Sequence, residues 1–154
     1  MHYLLGAPGS GKTALTEPLR RLLPDWAVLD WDGLMVPASR LAGRAIRDDE
    51  TLWEPYAGLV KAVIDQLDSR RVALLTVCTP DQLTGWPAGP WLLLDCTDAE
   101  RTRRLHQRGE TARTIRDALA DAKAYRQLHL PLLDTTTRTP LDLAQDLAHR
   151  LAPH

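Results

Sequence analysis

Phenylalanine is absent from this 154-residue chain, although five tryptophans are present. No functional class is excluded by that absence. Cysteine is nearly absent too. Cys78 and Cys96 are too few for a disulfide framework and do not have metal-ligand spacing. Each closes an apolar run, where a buried free thiol is expected, and a reducing cytoplasm is the expected compartment. Long hydrophobic runs are missing: no stretch nears the roughly 20 apolar residues that a spanning helix needs. No basic-then-apolar leader precedes residue 6, so neither a membrane span nor a cleaved signal is expected. Charge of one sign is also missing. A net charge of -1 supplies no global field for nucleic acid.

What is present describes an ordinary globular chain, with 44% hydrophobic and 25% charged residues. Its length suits one domain, expected over 1–154. It is too short for a motor ATPase with a helical lid domain, or for a transporter ATPase. Monomer and homodimer both remain open.

The strongest signal comes at residues 6–13, Gly-Ala-Pro-Gly-Ser-Gly-Lys-Thr. This is G-x-x-x-x-G-K-T, the phosphate-binding P-loop. Its glycines allow a tight backbone whose N–H groups point inward at a polyphosphate. Gly9, Ser10, Gly11, Lys12, Thr13 and Ala14 are the expected nucleotide contacts. Lys12 supplies a cation to the β- and γ-phosphates, and the Thr13 hydroxyl a ligand for Mg²⁺. A helix starting near Lys12 adds its positive dipole end. A chance glycine-rich turn would lack the apolar segment before the motif and the helical pattern after it.

Apolar runs bounded by turn residues predict strands at 3–6, 26–30, 72–78, 91–95 and 132–136. Helical patterns predict helices at 13–23, 34–44, 52–67, 99–107, 114–128 and 141–151. Pro18 is expected to kink or shorten the first, and Thr139 with Pro140 to start the last. Near-continuous apolar strands alternating with helices imply a parallel sheet covered on both faces. The expected fold is therefore α/β, a three-layer α/β/α P-loop NTPase fold with five parallel strands. Ligands in such folds bind at the carboxyl ends of the strands.

After the second strand comes Asp30-Trp31-Asp32. In extended backbone, residues two apart face one side, so both carboxylates are expected at the P-loop cleft. One would hold Mg²⁺ through water, and the other would take a proton from an attacking hydroxyl. The plainer alternative is a turn with Asp32 capping the next helix. The third strand ends Thr76-Val77-Cys78-Thr79-Pro80, without the acidic residue that a GTPase or motor ATPase places there. That absence points to Asp30 as the metal's partner. No N-K-x-D element for guanine is found. Thr79 and Gln82 are expected to build a turn. On the helix after the fourth strand, Arg104 and Arg108 share a face, suited to stacking on adenine and reaching phosphate. Arg101 and Arg103 are expected to be solvated, paired with Asp98 and Glu100. Arg113 and Arg116 could enter from a mobile flap.

An early P-loop, D-x-D after strand two and E-R-x-x-R-L-x-x-R-G after strand four resemble the small nucleoside-monophosphate-kinase-like superfamily. Adenylate, shikimate and gluconate kinases and chloramphenicol phosphotransferase belong to it. Similarity to shikimate kinases implies that Asp32 contacts the acceptor hydroxyl as base, with Asp30 in the Mg²⁺ shell. Similarity to adenylate kinases implies adenine-stacking and phosphate roles for Arg104 and Arg108, with a short lid over about 108–116. It also implies an acceptor-binding helical segment over about 33–67. Among its residues Arg44, Trp53 and Tyr56 are candidate substrate contacts, beside Trp31, Met35, Arg40 and Arg47. Helix packing is the alternative for Trp53 and Tyr56. Asp121 stands where adenylate kinases carry a phosphate-clamping arginine, and this departure argues for a hydroxyl acceptor.

The expected activity is ATP- and Mg²⁺-dependent phosphorylation of a hydroxyl on a small molecule such as a sugar, nucleoside or antibiotic. Lys12, Asp32 and Arg108 are the expected catalytic residues. Rival readings are a nucleoside or nucleotide kinase, a nucleic-acid end kinase disfavoured by the neutral charge, and an ATP-binding regulatory protein with weak hydrolysis.

Overall fold

A computed structural model describes residues 1–67 and 71–151. Among these residues, five strands form one parallel sheet: β1 (His2–Leu5), β2 (Ala27–Asp30), β3 (Val72–Thr76), β4 (Trp91–Asp95) and β5 (Leu132–Asp134). Their spatial order is β2-β3-β1-β4-β5. Leu4 of β1 lies opposite Leu75 on one side and Leu92 on the other. The helices are α1 (Lys12–Leu22), α2 (Trp31–Ala42), α3 (Trp53–Gln66), α4 (Asp98–Gln107), α5 (Ala112–Arg126) and α6 (Pro140–Leu151). Two short 3-10 turns, Ile46–Asp48 and Glu50–Leu52, join α2 to α3.

Strand β3 explains why three layers form. Successive side chains of a strand point to opposite faces, and all five residues of β3 are buried. Val72 and Leu74 pack with Tyr56, Val60 and Ile64 of α3. Ala73 and Leu75 pack with Leu15 and Leu19 of α1 and Leu143 and Leu147 of α6. Only an apolar run can satisfy both faces. Each fully buried leucine contributes about 1.5–3 kcal/mol, so the two clusters together fix the helices to the sheet.

Several boundaries differ from the sequence expectation. Helix α1 runs through Pro18 without a break. Helix α2 starts at Trp31 rather than residue 34, because the Asp30 side chain caps it by accepting from the Asp32 N–H at 3.1 Å. Helix α5 starts at Ala112, capped by Thr111, so the expected 108–116 lid shrinks to the four residues between α4 and α5. Helix α6 starts as expected: the Thr139 hydroxyl accepts from the Asp142 N–H at 3.2 Å and Pro140 opens the first turn. No described helix is long and apolar enough to cross a membrane.

Candidate active site

The P-loop follows β1 and enters α1. Gly9 and Gly11 have φ of 81° and 92°, a region that side chains with a Cβ rarely occupy. The carbonyls from Ala7 to Ser10 are all engaged by side-chain donors. Arg101 Nη1 donates to the Ala7 and Pro8 carbonyls. Arg104 Nη1 and the Cys96 thiol donate to that of Gly9, and the Thr135 hydroxyl donates to that of Ser10 at 2.8 Å. A peptide whose C=O is held outward presents its N–H to the opposite side. The first N–H groups of α1 have no partner within the helix. Ser10 Oγ is buried without a hydrogen-bond partner among the described residues. Together these groups fit a polyphosphate. The amides of Ser10 and Ala14 do not belong to this set, since they bond to the Ala7 and Gly11 carbonyls, each at 3.1 Å, and Ala14 does not line the cavity.

Lys12 is buried, and its Nζ donates to the Gly6 carbonyl and lies 3.8 Å from Asp32 Oδ2. Burial lowers the ammonium's pKa, opposed by the charges of Asp32 and Asp30. Asp30 and Asp32 thus both reach the P-loop lysine electrostatically, but not by strand alternation. Asp32 stands in the first turn of α2 and lines the cavity, whereas Asp30 is buried. The Asp30 carboxylate is taken by the Asp32 N–H and by the Thr16 hydroxyl at 3.4 Å. It holds the turn that presents Asp32. Thr13 is exposed and lines the cavity, and a hydroxyl with carboxylates such as Asp32 lining the same cavity is a donor set that suits Mg²⁺ beside phosphate.

The cavity has a volume of about 930 Å³ and runs from the P-loop across α2, α3 and α5. Trp31, Met35, Trp53, Tyr56, Leu83 and Tyr125 give it apolar walls. Trp53 is 52% exposed, with Nε1 bound to the Ile46 carbonyl at 2.9 Å. Tyr56 is buried and its hydroxyl donates to the Trp31 carbonyl. Burial raises its pKa. Its ring is wall and its polar atom belongs to the core. Thr79 and Gln82 line the cavity and also build the expected turn, the Thr79 N–H donating to Gln82 Oε1 at 2.9 Å. Cys78 also lines it, its thiol pushed up to about 11 chiefly by burial.

Several arginines stand elsewhere than expected. Arg44 does not line the cavity; its Nη1 pairs with Asp49 Oδ2 at 2.8 Å on the surface. Arg47, three residues on, lines the cavity in its place. Arg113 and Arg116 are exposed on α5, and neither lines the cavity. Arg101 is not solvated but fully buried, paired with Asp95. Arg108 lines the cavity as expected, and its positive charge adds to the lowering of the Lys12 pKa. Arg104 sits behind the P-loop with its donors on Glu100, Gly9 and Thr135, so its guanidinium holds the loop, while Arg108 lines the cavity.

The sequence reading missed the scaffold around Asp95. Its carboxylate accepts from Arg101 Nη2 and from Arg126 Nε at 2.6 Å, while Arg126 also reaches Asp98 at 2.8 Å and the Cys96 carbonyl at 3.0 Å. A signal did exist. Arg101 precedes the buried Leu105 by four residues and so shares its inward face.

Solved structures share this architecture. A shikimate kinase from Acinetobacter baumannii in complex with shikimate matches with a TM-score of 0.68 at 19% identity, over 97% of this chain and 91% of that one. A gluconokinase from Sinorhizobium meliloti matches with a TM-score of 0.58 at 18% identity, over 98% and 92%. A shikimate kinase from Bacteroides thetaiotaomicron matches with a TM-score of 0.64 at 16% identity, over 97% of both chains. No protein-family model and no curated protein matches the sequence. Likeness at such identities is likeness of fold: the chain shares its parallel α/β fold with these shikimate kinases and this gluconokinase.

Proposed function

We propose that the protein is an ATP-dependent kinase that phosphorylates a hydroxyl group of a small molecule. One observation carries this reading: Asp32 lies 3.8 Å from the P-loop lysine, in a cavity continuous from the P-loop to an aromatic wall. Lys12 and the loop N–H groups stabilise charge on the transferring phosphoryl group. Arg108 approaches from the α4 end and adds positive charge there. Asp32 orients the acceptor hydroxyl and takes its proton. Thr13 would hold Mg²⁺, with Asp30 acting through water, and the metal would neutralise charge on the phosphates when bound. The wall formed by Trp31, Met35, Trp53 and Tyr56 receives the acceptor and excludes water.

The test is a coupled ADP-release assay with Mg-ATP and a panel of sugars, nucleosides, nucleoside monophosphates, ring acids and ring-hydroxyl antibiotics, with Lys12→Ala as control. Stimulation by one acceptor class, lost in the control, is the expected result. Nucleotide binding with slow hydrolysis that no acceptor stimulates would instead support a regulatory ATP-binding protein.

A further inference from the structure

The wall of this site is acidic, and of its acids only Asp32, beside Lys12, has an ion-pair partner among the described residues. Besides Lys12 and Arg108, which face phosphate in the kinase reading, Arg47 is the one cation lining the cavity among the described residues. Against it stand the carboxylates of Asp32, Glu54, Glu110, Asp117 and Asp121. Asp117 and Asp121 are four residues apart on α5, so roughly 5–6 Å separates their Cβ atoms on one helix face. Like charges at this spacing destabilise a helix. Both lie beyond the first turn of α5, where the helix dipole would favour them. Neither has a hydrogen bond or ion pair among the described residues. Burial, and then the charge of Asp117, hold the Asp121 carboxyl above its usual value, against the weaker pull of Arg101 and Lys12. A cation between the two aspartates would relieve this repulsion.

That cation is not a metal held by side chains. Among the described residues no group of three or more histidine, cysteine or carboxylate side chains could hold one. Two carboxylates on one helix face suit an ammonium, which has three N–H donors. Asp117, Asp121 and Asp32 line one cavity with Tyr125, and the charges of Asp121 and Asp32 both raise the Tyr125 pKa. The half-exposed ring of Trp53 offers a π face to a cation or to a sugar body. An acceptor carrying a carboxylate would meet like charge along this wall.

We propose that the acceptor is a cationic amino alcohol whose ammonium group is bound by Asp117 and Asp121 and whose hydroxyl meets Asp32; this rests on the kinase reading. In the transfer, the acceptor oxygen forms a bond to the γ-phosphorus of ATP. The bond from that phosphorus to the bridging oxygen of ADP breaks, and its electron pair leaves with ADP. The hydroxyl proton goes to Asp32, and the ammonium is unchanged.

The experiment measures binding by calorimetry to the wild-type protein loaded with MgADP, so that turnover plays no part. The probes are glucosamine, glucose and gluconate, with kanamycin and its fully N-acetylated form as a larger pair. An amine is expected to bind roughly tenfold or more tighter than its uncharged counterpart, the scale of a charge-assisted hydrogen bond. That preference is expected to disappear in the Asp117→Asn/Asp121→Asn double variant. Asparagine keeps the size and polarity of each side chain, and removal of the like-charge pair should raise the melting temperature of the unliganded variant, which checks the fold. Equal or undetectable binding of amine and uncharged partner at millimolar concentration overturns the proposal. So does tighter binding of gluconate, or an amine preference that survives in the double variant. Each of these leaves the kinase reading standing if a non-amine acceptor stimulates ADP release in wild type but not in Lys12→Ala. Failure of the wild type to bind MgADP at all would overturn the kinase reading itself.

Discussion

The two ends of the cavity are built in opposite ways. At the phosphate end, charged groups are buried and partnered: Arg101 with Asp95, Asp95 with Arg126, and each carbonyl from Ala7 to Ser10 with a donor. At the acceptor end, Arg47, Asp117 and Asp121 line open space without partners among the described residues. The first end holds a shape, since inward N–H groups are useful only if their peptides cannot turn. The second end holds charge in reserve for whatever enters.

The contrast can be broken most severely at Arg101. Arg101→Ala leaves Asp95 buried with part of its compensation gone, and a stability loss of about 3–5 kcal/mol is expected, read by urea unfolding. Arg101→Lys restores one donor but not the fork that spans Asp95 and Pro8, so partial rescue should follow. A loss below about 1 kcal/mol for the alanine variant would mean that the scaffold carries little.

Lys12→Ala tests the chemistry on that cradle. Turnover is expected to fall about 10²–10³-fold, while circular dichroism stays native. Asp32→Asn probes the boundary between the two ends. A fall of about 10²-fold in kcat is expected, at the lower end of the range for general-base removal, with ATP affinity retained; unchanged turnover would remove Asp32 from its role as base.

Smaller effects distinguish two neighbouring arginines. Arg47→Ala should change the acceptor KM, by about tenfold, while Arg44→Ala should leave it unchanged, because Arg44 serves a surface pair with Asp49. Equal effects would erase the distinction between them. The smallest effect is on acid stability. Hydrogen bonds from Arg103 and Arg104 bring Glu100 down to about 2, and Arg150 and Arg138 lower Asp146. Carboxyls depressed in the folded state stabilise above their unfolded pKa, and that stability is lost as pH falls through the folded value. The contribution of these carboxyls to the melting temperature, read as wild type against Glu100→Gln and Asp146→Asn, should be flat from pH 7 to about 5 and decline below about 4.5, where unfolded carboxyls begin to protonate. A rise on acidification would contradict these shifts.

Much of this was legible along the chain. A strand buried on both faces must be apolar throughout, so VALLT declared β3 and the parallel sheet. The P-loop was legible because its chemistry is local: phosphate binding needs neighbouring backbone N–H groups, and eight consecutive residues encode them. Asp32 was found at the right place for a wrong reason, since helix α2 begins at Trp31 and a cap, not an extended strand, turns it toward Lys12. Arg44 was chosen over Arg47 because composition cannot say which way a 3-10 turn faces.

What the sequence by itself determined is therefore the α/β class, the phosphate loop and the identity of its lysine, threonine and aspartate. Only the tertiary structure decided that Arg101 is buried, that Arg104 holds the loop from behind, and that Asp117 and Asp121 line the cavity. Local patterns reflect periodic burial and backbone geometry, which neighbours in sequence share. The partner of a charge lies across the fold, as Arg101 lies from Pro8 and Arg126 from Asp95, and folding alone decides whether a charge is solvated, paired or left open to a ligand.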